Sequence, residues 1–330
     1  MNKPQLYRRR FTFSLFASAA LGPPAWAQTA LPEVLSLVAP YPAGGASDVV
    51  ARTLQPTMAK AMGKTIVVEN ISGVSGAIGA QKVLSATVPG QSMLVGSPNE
   101  CILAPLALKV IKYKPQDFRL VAHVATAGIV LFARPDFPAN SIDELVKLSK
   151  APGAKPFTHA STGKGSSYHL LSETFSEKLN LNLVQVQYRG GAPAIQDLMG
   201  GSVDLLFGPV IPQYLQMVET GRMKIIGSAT AARLPSQPKV QAFGEIATLK
   251  DTYFDAWVGI FVPVGTATDL AERMGKAAYE AATSPAFQKV LTASGNSAGS
   301  VMTLEQAAAF YQRETVRYQQ IAQKIKLDAE

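Results

Sequence analysis

The sequence predicts an α/β protein with largely parallel sheets. Short apolar runs alternate with longer amphipathic patterns, Gly-rich loops fall between the two, and the alternation runs through most of the 330 residues. The strand candidates are Leu35–Val38, Thr65–Val68, Met93–Val95, Val121–Val124, Val130–Ala133, Val184–Tyr188, Val203–Phe207, Ile225–Ser228 and Trp257–Val262. Between them lie helices with readable ends. Ser47–Met62 places Val50, Leu54, Met58 and Met62 at four-residue spacing, with a kink expected at Pro56.

Ser141-x-x-Glu144 forms a capping box that starts a helix to about Lys150. Ser166–Leu179 follows a glycine loop, and Pro193–Met199 has Pro near its start and Gly200-Gly201 at its end. Thr303-x-x-Gln306 caps a long last helix reaching about Ile325.

Residues 1–27 read as a targeting segment. Arg8–Arg10 give a positive start, Phe11–Leu21 an apolar stretch, and Ala25-Trp26-Ala27 a small-x-small cleavage site. At eleven residues this stretch falls short of the roughly 20 that span a bilayer. Arg8-Arg9-Arg10-Phe11 suits twin-arginine or Sec export equally, so the expected location is the periplasm. This segment holds four of the 31 basic residues and no acid, leaving 27 against 23, a net of +4. So mild a charge demands neither nucleic acid nor a membrane surface. Cys101 is the single cysteine, which excludes an internal disulfide.

Two loops stand out. Pro40-Tyr41-Pro42-Ala43-Gly44-Gly45-Ala46-Ser47-Asp48 joins an apolar strand to a helix. Its free N–H groups suit an anion, with Ser47 or Asp48 capping the helix, and it reads equally as an ordinary βα turn. Ser161-Thr162-Gly163-Lys164-Gly165-Ser166-Ser167 is richer, bringing hydroxyls, backbone N–H groups and a helix start together. It is not a Walker loop, because Gly165 stands where the hydroxyl residue belongs. Two such loops, one per lobe, would face each other across a cleft.

Catalytic and metal readings lack support. The histidines are His123, His159 and His169, and no His-x-x-x-His pair or Cys/His cluster occurs. His169 lies one helical turn past Ser166, where it is expected to buttress the loop. Gly73-x-x-Gly76-x-x-Gly79 misses the dinucleotide spacing and suits close packing instead. Asp204, inside an apolar run, requires a partner if buried.

Taken together, Pro40–Arg52, Val67–Gly76, Ser161–Phe175, Val186–Phe207 and Trp257–Thr266 resemble the Bug-type (Bordetella uptake gene) extracytoplasmic solute receptors. These are the binding components of tripartite tricarboxylate transporters. The resemblance implies a two-lobed periplasmic-binding-protein fold of type II-like form, with a ligand cleft between lobes. It implies lobe 1 from 28–128 plus 255–330 and lobe 2 from 129–254. It carries ligand contacts over to Tyr41, Ala43, Gly44, Gly45, Ala46 and Asp48 on one side. On the other side it carries them over to Thr162, Gly163, Gly165 and Ser166, with Asp204 lining the cleft and Ser97 joining the site.

The function so implied is capture of a small organic carboxylate and its delivery to membrane transporter subunits. The chain is then a monomer without catalysis, cofactor or metal. Two alternatives remain open: a sensor accessory that presents its ligand to a signalling protein, and a secreted α/β hydrolase. One stretch departs from the family pattern. Where small hydroxyl residues and Asn-Pro are usual, this chain has Ser97-Pro98-Asn99-Glu100-Cys101. Glu100 is expected to point to solvent; inside the cleft it would repel a second ligand anion or pair with an ammonium.

Overall fold

The computed structural model describes residues 31–253 and 255–324. The leader read at 1–27 and the helix end read at Ile325 lie outside them. The first pass of the chain alternates strand and helix as the apolar pattern demands. It runs β1 (Val34–Ala39), α1 (Ala46–Met62), β2 (Thr65–Asn70), α2 (Ala77–Leu84) and β3 (Ser92–Gly96). A wide helical turn at Asn99–Leu103 then leads to α3 (Ala104–Ala107) and β4 (Phe118–Ala127).

The second pass runs β5 (Ile129–Ala133), α4 (Ile142–Ser149), β6 (Phe157–Ser161), α5 (Ser167–Leu179) and β7 (Leu183–Gln187). It continues through α6 (Gly191–Met199), β8 (Leu205–Pro209), α7 (Pro212–Glu219) and β9 (Lys224–Ser228). The return comprises β10 (Ala256–Pro263), α8 (Thr268–Ala282), α9 (Pro285–Ser294), β11 (Ser297–Ala298) and α10 (Leu304–Lys324).

These strands form two sheets, in the orders β11-β4-β10-β3-β1-β2 and β7-β6-β8-β5-β9. Strands β1, β2 and β3 pair parallel, as do β6, β7 and β8; β4, β5, β9, β10 and β11 pair antiparallel to their neighbours. The chain crosses from the first sheet to the second at Gly128 and returns between Ser228 and Ala256. The sheets are therefore mixed, because each crossing adds antiparallel strands to a parallel nucleus.

Two strands escape the sequence pattern. β6 is central in its sheet, yet it reads Phe-Thr-His-Ala-Ser, so its buried polar residues conceal it. β11 has two residues, too few for any period. α1 runs unbroken through Pro56. Thr303 and Gln306 form the expected reciprocal box, with Gln306 N–H on Thr303 Oγ1 at 3.2 Å and Thr303 N–H on Gln306 Oε1 at 2.9 Å. At α4, Ser141 Oγ caps the Glu144 N–H, but Glu144 reaches back to Asn140 rather than to Ser141.

Each sheet has its own core on one face. Leu35, Leu37, Leu54, Met58 and Ile260 pack with α8 and α9 in the first, and Phe132, Ile195, Leu206 and Tyr214 pack in the second. A third core is continuous across both sheets. It joins Leu94, Leu103, Phe261, Tyr311 and Tyr318 to Leu131, Leu170, Phe175, Phe207 and Phe243.

Candidate functional site

β1 delivers the chain to the Tyr41–Gly45 turn, and α1 opens with Ala46, Ser47 and Asp48. These first-turn N–H groups have no carbonyl four residues back, so the helix start presents donors. The N-cap is Gly45 and no side chain caps the helix, contrary to the expected role of Ser47 or Asp48. Asp48 instead turns back on its own loop. Its Oδ2 accepts the Gly44 N–H at 2.9 Å and its Oδ1 accepts Arg52 Nε at 2.9 Å. Partial burial pushes this carboxyl up, but those donors outweigh it and hold it below the usual carboxylate range.

β6 ends at Ser161, and the second loop carries the chain into α5. Ser166 is the N-cap, its Oγ accepting the His169 N–H at 3.2 Å. His169 Nδ1 accepts the Gly165 N–H at 3.1 Å, the buttress its position implied. The loop also binds groups of the first sheet's side. Ser75 Oγ donates to Lys164 O at 2.9 Å, and the Ser167 N–H donates to Asn99 Oδ1 at 2.8 Å. Gly163 has φ +134°, and a Cβ there would sit 2.2 Å from Ser75 Oγ. Only glycine fits that crossing.

Between the two loops lies a cavity of about 140 Å³, close to the size that admits a benzene ring. Three helix starts reach it: Ala46 and Ser47 of α1, Ser167 and Tyr168 of α5, and Gly191 of α6. Helix N-termini favour negative charge through unpaired N–H groups and the helix dipole. Ser47 Oγ, Thr162 Oγ1 and Asn296 Oδ1 are buried on this lining without a hydrogen-bond partner. Among the described residues that line the cavity, none is Lys, Arg or His. Leu206, Phe207, Ile211, Trp257, Phe287 and Leu291 supply apolar wall.

Of the residues singled out from sequence, Tyr41, Gly45, Ala46, Ser97 and Thr162 line the cavity. Ala43, Gly44, Asp48, Gly163, Gly165 and Ser166 are not on its lining: Ala43 and Gly44 are exposed, while Asp48, Gly163, Gly165 and Ser166 shape the two loops. Asp204 requires correction. It lies just before β8, whereas Leu206–Pro209 of that strand reach the cavity. Its carboxylate is held by Arg134 Nε at 2.9 Å, the Thr158 N–H at 2.8 Å and Thr158 Oγ1 at 2.9 Å.

Glu100 also departs from expectation: it is 0% exposed and lines the cavity rather than facing solvent. Sequence reasoning missed Asn99, Ser167, Tyr168, Tyr214, Trp257 and Asn296 as lining residues. Trp257 opens a stretch that carried the resemblance without being read as a contact, and Tyr214 carries no local motif; the return of β10 and α7 to the cleft places them. His159 is a core histidine, between Gln185, Ser172 and the Phe207 N–H, and burial lowers it to about 4.

Two sheets joined by crossing strands, with a cleft of helix starts between them, define a periplasmic solute-binding protein. The family model of the tripartite tricarboxylate transporter family receptor, TctC, matches residues 50–327. Protein BugT of Bordetella pertussis is 27% identical over 307 residues, covering 92% of each chain. The periplasmic binding protein BugD superposes with TM-score 0.82 at 28% identity, over 91% of this chain and 100% of that one. MatC from Rhodopseudomonas palustris, solved with malate bound, gives 0.79 at 25% identity, over 87% and 98%. The chain belongs to the TctC receptor family, whose members bind solutes and are not enzymes.

Proposed function

We propose that the cleft captures a small organic carboxylate and that the closed receptor delivers it to membrane transporter subunits. The observation that carries this is the cavity's polar equipment: three helix starts and the unpartnered hydroxyls of Ser47 and Thr162, with no lysine, arginine or histidine among the described lining residues. Neutral donors hold an anion without the grip of a fixed cation, which suits a receptor that must also release. MatC, bound to malate, supports the substrate class by relationship.

In this reading Tyr41, Gly45, Ala46, Ser47, Ser97 and Thr162 meet the ligand. Asp48, Gly163, Gly165 and Ser166 set the loops that present them. The moving parts are lobe 1, 28–128 plus 255–330, and lobe 2, 129–254. The chain is exported to the periplasm, cut after Ala27, and works as a monomer.

Native mass spectrometry of protein purified gently from the periplasm tests the reading. The expected result is an added small-molecule mass, released on denaturation and identified as a carboxylic acid. A clean apo mass, together with no thermal shift across a panel of organic acids, would overturn it.

A further inference from the structure

Resting on the carboxylate-receptor reading, we propose that Glu100 makes this cleft select a monocarboxylate with an uncharged, apolar body and reject a second anionic group. The side chain is built into place. Oε1 accepts the Ser97 N–H, while Oε2 accepts Ser97 Oγ at 2.9 Å and Tyr41 Oη at 3.0 Å. Room for it is kept by Gly76, at φ +87°, where a Cβ would come within 3.0 Å of Glu100 Cβ and 3.2 Å of Oε2. The Ser97 N–H is a donor only, and the Ser97 and Tyr41 hydroxyls are able to donate, a set that accommodates an ionised carboxylate.

Nothing cationic neutralises it. The titratable groups near it are Tyr41 of the first loop, Cys101 of its own turn, Tyr113, Tyr168 of α5 and Tyr311 of α10. Each of these is a weak acid, neutral at physiological pH. Among the described residues no Lys, Arg or His forms an ion pair with Glu100. Tyr41 and Ser97 spend their donors on Glu100, so the helix starts and the Ser47 and Thr162 hydroxyls remain for one carboxylate, and a second in the same cavity of about 140 Å³ would meet Glu100 without donors of its own. Like charges brought together in a desolvated site are strongly disfavoured. The wall formed by Leu206, Phe207, Ile211, Trp257, Phe287 and Leu291 packs against an apolar body and offers no donor to a second carboxylate.

The bar is proton-dependent. Burial raises the Glu100 carboxyl to about 7, against the lowering effect of its Ser97 and Tyr41 bonds. A raised carboxyl stabilises the fold below its unfolded pKa, and that contribution is lost as pH rises through about 7. Acid therefore neutralises the repelling charge.

The test is calorimetric titration of the exported protein with matched pairs: hexanoate against adipate, benzoate against terephthalate, and butanoate against succinate. At pH 8 the monoacid of at least one pair is expected to bind about 100-fold tighter than its diacid, the scale of a like-charge clash. The gap should shrink at least about tenfold at pH 5.5, and equally in Glu100→Gln at pH 8. The melting temperature of Glu100→Gln should gain on wild type between pH 5 and 8. The wild-type pH series stands alone if that variant fails to fold. Diacids binding as tightly as monoacids at pH 8, or a gap indifferent to both pH and Glu100→Gln, would overturn the selector while leaving the receptor reading intact. Binding of neither series would remove both.

Discussion

The two glycine loops share a pattern, strand then Gly-rich turn then helix, and the structure gives them different work. The first, Pro40–Asp48, ties itself to the rest of the protein through Tyr41, whose Oη meets Glu100 and Ser75 O and whose carbonyl accepts Asn70 Nδ2, and leaves its helix start at the cavity. Tyr41, Gly45, Ala46 and Ser47 all line the cavity, and Asp48 braces them from behind. The second, Ser161–Ser167, places only Thr162 and Ser167 there. Its remaining polar groups bond to Ser75, His169 and one another, and Ser167 itself donates to Asn99. One loop grips and the other latches. A shared motif thus predicts where chain meets cleft, but not which backbone groups remain for a ligand; that depends on what lies across the gap.

The contrast breaks most sharply at the unpartnered hydroxyls. Ser47→Ala and Thr162→Val should each weaken carboxylate binding roughly 10- to 100-fold, the worth of a hydrogen bond to a charged group. Their melting temperatures should hold or rise, because each variant removes a buried, unsatisfied hydroxyl. Affinity and stability moving down together would make these side chains structural.

A latch variant should cost less. Ser75→Ala removes the 2.9 Å bond to Lys164 O without touching the cavity wall. A neutral bond contributes about 0.5–1.5 kcal/mol, so affinity should fall roughly two- to tenfold. Stopped-flow measurement should find that loss in faster ligand release. A loss as large as that of Ser47→Ala would erase the distinction between grip and latch.

The smallest expected effect on binding is that of Asp204→Asn. It should leave ligand affinity unchanged and lower the melting temperature, since it breaks the pair with Arg134. A drop in affinity with the fold intact would restore Asp204 to the cleft.

The architecture was legible because most strands here are apolar runs of four to eight residues and α4, α5 and α10 announce their caps at Ser141, Ser166 and Thr303. The site was legible only in part, for a physical reason. Tyr41, Gly45, Ala46, Ser97 and Thr162 lie near strand ends or helix starts, where local pattern reports position. Trp257, Tyr214 and Asn296 reach the same cavity from distant elements, so only tertiary structure assembles them. Asp204 misled because a carboxylate in an apolar run signals a partner without saying whether the partner is ligand or Arg134. Glu100 misled in the opposite sense. Glutamate is a surface residue by habit, and the glycine that makes room for it lies 24 positions upstream.

In the proposed two-lobe receptor, the core shared by both sheets sets the scale of the motion. Leu94, Phe261 and Tyr311 on one side belong to one buried cluster with Leu170, Phe175 and Phe207 on the other. Opening need not expose that apolar surface; it needs only the release of polar contacts such as Ser75–Lys164 and Asn99–Ser167, which water replaces. Exchanging such bonds leaves the open and closed populations within a few kcal/mol of each other. A ligand of ordinary affinity then has enough free energy to tip the balance, and its departure is enough to restore it.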